Sequence, residues 1–152
     1  RAALAALPPL GEAGLEATAQ AIRRRLAEAE IDLAEGDADA AAGTAAAATA
    51  QARASELAPY LRLTIADGEW LEGLARLRGG DAARARPLLA QALATRTERL
   101  LPASPKIAEA RRALADCERR LARPTAAIDA AHAAPSERDT TAHHPGSRRR
   151  SG

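Results

Sequence analysis

Apolar residues recur along this chain at helical intervals, and the pattern itself recurs. Trp70, Gly73 and Leu77 stand at i, i+3 and i+7, which is one face of an α-helix. Leu26, Ala29 and Leu33 repeat them 44 residues earlier, and Leu114, Cys117 and Leu121 repeat them 44 residues later. Large stays large, and small stays small. Each stripe runs into a corner: "LAEGDADAA" from Leu33, "LRGGDAARA" from Leu77 and "LARPTAAID" from Leu121. Past the second corner Ala85, Leu89 and Ala92 recur at i, i+4 and i+7, and Ala41, Ala45 and Ala48 hold the matching places after the first. One unit therefore reads as a helix, a tight turn and a second helix.

The pattern predicts helices over 14–34 and 38–57, 60–78 and 82–100, and 105–122 and 125–134. Gly36 and Gly79 or Gly80 are the expected left-handed ends of first helices, and Asp37 and Asp81 the expected N-caps of second ones. Pro59, Pro102 and Pro105 punctuate the links between units. A single helix pair buries too little apolar surface to offset its ordering entropy, so each unit must lean on the next. The expected fold is all-α, an α-solenoid of about three repeats at 14–58, 59–102 and 103–134. The end of a preceding repeat helix and a linker are expected over 1–13, and a disordered, polar, proline-bearing tail over 135–152. The third unit is degenerate, with Arg123-Pro124 in place of Gly-Asp, as suits the end of an array.

The double glycine at Gly79 and Gly80 invites comparison with a phosphate-gripping loop. Such a loop needs a lysine followed by Ser or Thr, and here Asp81 follows and would repel phosphate. The glycines are punctuation between helices.

Composition narrows the function. Aromatic residues make up 1% of the 152, with no Phe or Met, while alanine alone is about 29%. That is helix material with closely approaching backbones. The formal charge of +2, from 22 bases and 20 acids, defines no nucleic-acid surface, and nothing interleaves aromatics for base stacking. One cysteine excludes an internal disulfide and a multi-cysteine zinc site. The opening "RAALAALPPL" is broken by Pro8 and Pro9, far short of the roughly 20 apolar residues of a membrane span. A start at Arg1 without methionine points to a piece of a longer protein, and the preference for Arg and Ala points to a bacterial source.

On these residues the chain resembles the tetratricopeptide repeat (TPR) family, in its long-period, kinesin-light-chain-like variant. Gly73 carries the small first-helix position, Gly80-Asp81 the corner, and Ala85, Leu89 and Ala92 the signature of the second helix. Ala45 departs from that signature, which has a larger residue there. The stretch "ALATRTERLLPASPKIAEARRALADC", Ala92 to Cys117, is similar to linkers in the repeat arrays that follow the catalytic domain of bacterial serine/threonine protein kinases. The resemblance implies a cytoplasmic scaffold that binds a protein or peptide along a surface made by first helices. It implies a signalling role, as the C-terminal regulatory or partner-binding arm of a kinase whose catalytic domain lies before Arg1. The alternative is a stand-alone adaptor or a self-association module forming a homo-oligomer.

Within that frame Glu28, Glu72 and Asp116, spaced by 44, with Asp32, Arg76 and Arg120 one turn on, are the candidate peptide-contacting row. The plainer account is that Glu72 with Arg76, and Asp116 with Arg120, are helix-stabilising i, i+4 pairs worth a few tenths of a kcal/mol each. The carboxylate clamp that chaperone-binding members build from Lys and Asn is missing, since the chain has no Asn and only Lys106. No nucleophile motif and no kinase loop occurs, so no enzymatic activity, cofactor or metal is expected of this chain. His132, His143 and His144 make no metal site, because two of them lie in the polar tail. The terminal arginines 148–150 read as a solvated end rather than a nucleic-acid contact.

Trp70 shares its register with Leu26 and Leu114 and is expected in the core. Cys117 shares that of Ala29 and Gly73 and is expected to be a small buried hydrophobe rather than a reactive thiol. Cys117→Ala should accordingly leave folding nearly intact. A large drop in melting temperature for that variant would break the register on which the repeat rests.

Overall fold

A computed structural model describes residues 12–133, with side chains over 14–123. These residues form five helices and no strand: α1 (Glu12–Glu35), α2 (Ala38–Ala54), α3 (Arg62–Arg78), α4 (Ala82–Arg99) and α5 (Pro105–Ala133). The expectations for 1–11 and for the tail at 135–152 lie outside the described residues. Each helix packs chiefly on its neighbours in the chain, and α3 also meets α1 on one side and α5 on the other.

The two corners repeat bond for bond. Gly36 and Gly80 take φ of +94° and +88°, where a Cβ is strained. The Asp37 N–H bonds the Asp32 carbonyl at 2.9 Å and the Asp81 N–H bonds the Arg76 carbonyl at 2.8 Å, while Gly36 and Gly80 donate to Leu33 and Leu77, each at 3.3 Å. This is the Schellman arrangement, which satisfies the last carbonyls of the first helix. The aspartates then turn their carboxylates to the next helix, Asp37 accepting from Ala40 N–H at 2.9 Å and Asp81 from Arg84 N–H at 3.0 Å. Glycine, aspartate and helix start thus form one reversing device, used twice.

A side chain from the following first helix reinforces each corner. Arg78 Nη1 of α3 donates to the Leu33 carbonyl at the end of α1, and Arg120 Nη1 of α5 donates to the Leu77 carbonyl at the end of α3, both at 2.8 Å. A guanidinium there meets the negative end of the helix dipole as well as an oxygen with a lone pair to spare.

Packing is close because the residues are small. Ala29 and Leu33 of α1, Ala41, Ala42 and Ala45 of α2, and Leu71 and Ala75 of α3 form one cluster. Leu77, Ala85, Leu89, Ala113 and Cys117 form the next. Trp70 and Leu74 lean on both. Ile22, Ala52 and Leu61 close the opposite end of the first pair. Gly73 is needed for this approach, since a Cβ there would lie 2.8 Å from the Leu89 side chain. Gly68 is the tighter case, because its Cβ would run into the Thr49 hydroxyl of α2.

The third unit departs from expectation. No break forms at Arg123-Pro124, and α5 runs on to Ala133 as a single helix. Pro124 stands 44 residues after Gly80, and its ring holds φ near −65°. It cannot take the positive φ that turns the chain at the two earlier corners. The boundaries of α2 and α3 also draw back from 57 and 60, because Ser55 caps α2 with its hydroxyl on the Ala52 carbonyl at 2.8 Å and turns fill the link to Leu61.

Gly68→Ala is expected to destabilise the fold by about 1–3 kcal/mol through overpacking, although alanine favours a helix by up to about 1 kcal/mol over glycine. Thr49→Ala removes the hydroxyl that obstructs it, and that hydroxyl has no hydrogen-bond partner. In the Thr49→Ala background the glycine substitution should be neutral or stabilising. A chemical-denaturation double-mutant cycle reads the difference, and additive effects would place the clash elsewhere.

Candidate interaction groove

Helices α1 and α3 diverge enough along one side to leave a row of clefts. The first, about 300 Å³, lies between Arg23, Leu26, Ala27 and Glu30 of α1 and Thr64, Asp67 and Leu71 of α3. The second, about 290 Å³, lies between Glu30, Leu33 and Ala34 of α1 and Trp70, Leu71, Leu74 and Arg78 of α3. They share Glu30 and Leu71, so they are two stretches of one trough. Arg23 connects it to a cleft of about 350 Å³ bounded by Leu15, Ala19, Leu57 and Tyr60, a residue 85% exposed. At the other end Arg78 opens it onto the acidic corner of Glu35, Asp37 and Asp39. The floor is aliphatic and the rim is charged. That combination suits a short segment carrying apolar side chains between polar ones.

A charge network built on one buried arginine holds the α3 wall. Arg96 of α4 is 2% exposed, and its guanidinium lies 4.8 Å over the Trp70 ring. Its Nη2 donates to Asp67 at 2.7 Å and its Nη1 to the Lys106 carbonyl at 3.0 Å. Lys106 Nζ adds a second bond to Asp67, also 2.7 Å. One carboxylate therefore joins α3, α4 and the start of α5. Removing Arg96 would leave Asp67, which is partly exposed, with Lys106 alone. Trp70 is half-buried against both clusters rather than inside the core that its register predicts, and it is part of the trough wall.

A second charged cluster lies away from the trough. Glu69, 2% exposed, accepts from Arg53 of α2, and one turn on Glu72 accepts from Arg76 Nε at 2.8 Å. Burial pushes the Glu69 carboxyl above its ordinary range, the Arg53 guanidinium pulls against that, and Glu72 adds to the rise.

The structure scatters the six candidate residues. Glu72 and Arg76 form an ion pair at 2.6 Å with Glu72 only 8% exposed. Asp116 bridges Arg120 at 3.0 Å and Arg119 at 3.1 Å. Arg120 is occupied further with the Leu77 carbonyl. Glu28 is exposed and pairs with Arg24 at 3.7 Å rather than with a residue one turn on, and Asp32 is half-buried beside the corner it helps to close. None of the six lines the clefts between α1 and α3. The lining positions stand a step away on the same helices: Arg23 with Asp67, Ala27 with Leu71, Glu30 with Leu74, and Ala34 with Arg78, each pair again 44 apart. Periodicity contains that row too. What it lacks is the phase, which depends on which side α3 turns to α1.

Cys117 is fully buried, its thiol directed at the Ala82 carbonyl at 3.2 Å, and burial pushes its pKa up. That disfavours the thiolate which reactivity requires. Among the described residues no group of three His, Cys, Asp or Glu is placed to hold a metal, and no helix is long and apolar enough to cross a membrane. No family model matches the chain, and neither a curated protein nor a solved structure matches it.

Glu69 gives a pH test of the second cluster. A raised folded-state pKa favours folding below the unfolded value near 4.5 and loses that contribution as pH rises through the folded value. Glu69→Gln is thus expected to melt higher than the parent at neutral pH. The gap should close as pH falls below about 4.5. Thermal melts across that range check it, and an advantage that grew on acidification would contradict the assignment.

Proposed function

We propose that this chain is a protein-interaction scaffold of the tetratricopeptide kind, which takes a peptide or an extended protein segment along the α1–α3 trough. The observation that carries this reading is the continuity of the trough, an aliphatic floor with charged residues at intervals, walled by α1 and by α3, with α3 held to α4 by the Arg96–Asp67 pair and to the end of α1 by the Arg78 bond. A preformed wall loses little freedom on binding. Support for the repeat comes from the two corners, which use the same residues and the same hydrogen bonds 44 residues apart.

In this reading the chain performs no chemistry. Recognition is by a few desolvated aliphatic contacts, with Arg23 and Glu30 setting the polarity of the bound segment. The setting proposed is the cytoplasmic partner-binding arm of a bacterial signalling serine/threonine kinase. It rests on the resemblance of residues 92–117 to the linkers of such arrays.

A selection from a displayed random-peptide library on the full chain, followed by calorimetry with the enriched peptide, tests the reading. Thr64→Arg combined with Ala34→Arg places bulk in both stretches of the trough and should weaken binding about tenfold or more, a loss of at least about 1.4 kcal/mol. The melting temperature should change little. Glu28→Lys with Asp116→Lys should leave affinity unchanged. The reverse outcome would move the contact face to the row of charges, and failure to enrich any peptide would remove the groove reading altogether.

A further inference from the structure

Both walls of the trough are the middles of helices, from Arg23 to Ala34 on α1 and from Asp67 to Leu74 on α3. Their N–H and C=O groups bond within their own helices, so the walls offer a bound chain no backbone partner. Side chains do not make up for this. None of the residues lining the two stretches carries an amide side chain. Asp67 gives one oxygen to Arg96 and the other to Lys106, and Arg78 is engaged with the Leu33 carbonyl. A strand laid on this floor would turn part of its N–H and C=O groups away from water with nothing to bond them. A helix brings its backbone already paired.

The dimensions agree. From Arg23 to Ala34 the α1 wall runs about 16 Å, or about three helical turns. Ala27 and Ala34 are its small positions, one in each stretch, seven residues apart, and side chains at i and i+7 of a second helix have that same spacing. Arg23 and Glu30 each stand one turn before one of these alanines and are exposed. Neither forms an ion pair or a side-chain hydrogen bond among the described residues. Helices α1 and α3 end side by side, where Arg78 reaches the Leu33 carbonyl. The negative ends of two helix dipoles therefore meet at the acidic corner of Glu35, Asp37 and Asp39.

We infer, on the trough reading above, that the occupant is an amphipathic α-helix of a partner protein lying antiparallel to α1 and α3. Its N-terminus, with unpaired N–H groups and the positive end of its dipole, faces the acidic corner. Apolar residues at i and i+7 seat over Ala34 and Ala27. A base one turn after the first meets Glu30, and an acid one turn after the second meets Arg23. The aliphatic floor supplies affinity, and the two unpaired charges supply direction and selectivity.

Selection of displayed random peptides about 18 residues long, enough for about five turns, on the full chain tests this. Enriched sequences should carry apolar, basic, apolar and acidic residues in that order at one-turn steps, and circular dichroism should show them gaining helix on binding. Proline placed in the middle of such a peptide should weaken it at least about tenfold by calorimetry. Glu30→Lys should weaken the same peptide about fivefold, and exchanging the peptide's base for glutamate should restore affinity for that variant. Peptides that lose affinity for the chain carrying Thr64→Arg and Ala34→Arg, yet stay non-helical, tolerate the proline, carry the charges in the opposite order or show no exchange of preference with Glu30→Lys, would overturn the helix inference and leave the trough reading standing. Enrichment of no peptide would remove both.

Discussion

The described fold depends on how the chain reverses between helices. An α-helix ends with carbonyls that have no partner, and a reversal that left them buried and unsatisfied would cost more than the packing it allows. Here one glycine at positive φ places two N–H groups back on those carbonyls, and the aspartate beside it supplies the cap of the next helix. An arginine from the next first helix then bonds the same end. The corner therefore does more than connect two elements, because it links one pair to the helix that follows. Where a proline occupies the glycine position, the helix runs on without a reversal.

Small residues make the rest possible. In α2 the buried positions are five alanines and a threonine, so the energy of the first pair comes from close approach of backbones and many dispersion contacts rather than from large side chains. Such an interface has little tolerance. Gly68 and Gly73 touch their neighbours across distances that a single methyl group would violate. The larger side chains, Trp70, Leu74 and Leu89, are concentrated around α3, where the two clusters meet.

Charge is divided between what holds the fold and what faces solvent. Asp67, Arg96 and Lys106 tie three helices together, and Arg53 with Glu69 ties α2 to α3. These groups are engaged with one another across helices, although Arg96 Nε and Glu69 Oε2 are buried without a partner. Arg23 and Glu30 at the rim are among the charges that the fold leaves to solvent. The same 44-residue register thus carries core, corner and surface, each on its own phase of the helix.

Periodicity in the sequence was enough to place the first four helices to within a few residues and the start of the fifth, the glycine and aspartate corners, the small position at Gly73, and the burial of Cys117, because each is a local requirement of helix geometry; it predicted a break at Arg123-Pro124 that does not form. It also contained both the row through Glu72 and the row through Leu71, since every row of a repeating helix recurs at the same interval. Only the tertiary structure chose between them, by rotating α3 so that Leu71 and Leu74 border α1 and Glu72 pairs beside Arg76. The Asp67–Arg96–Lys106 network was illegible for a related reason: the positions 44 earlier are Arg23, Ala52 and Arg62, so no repetition announces it. Phase, and contacts between residues far apart in the chain, are properties of packed helices. A one-dimensional pattern specifies which residues share a face, but not what that face meets.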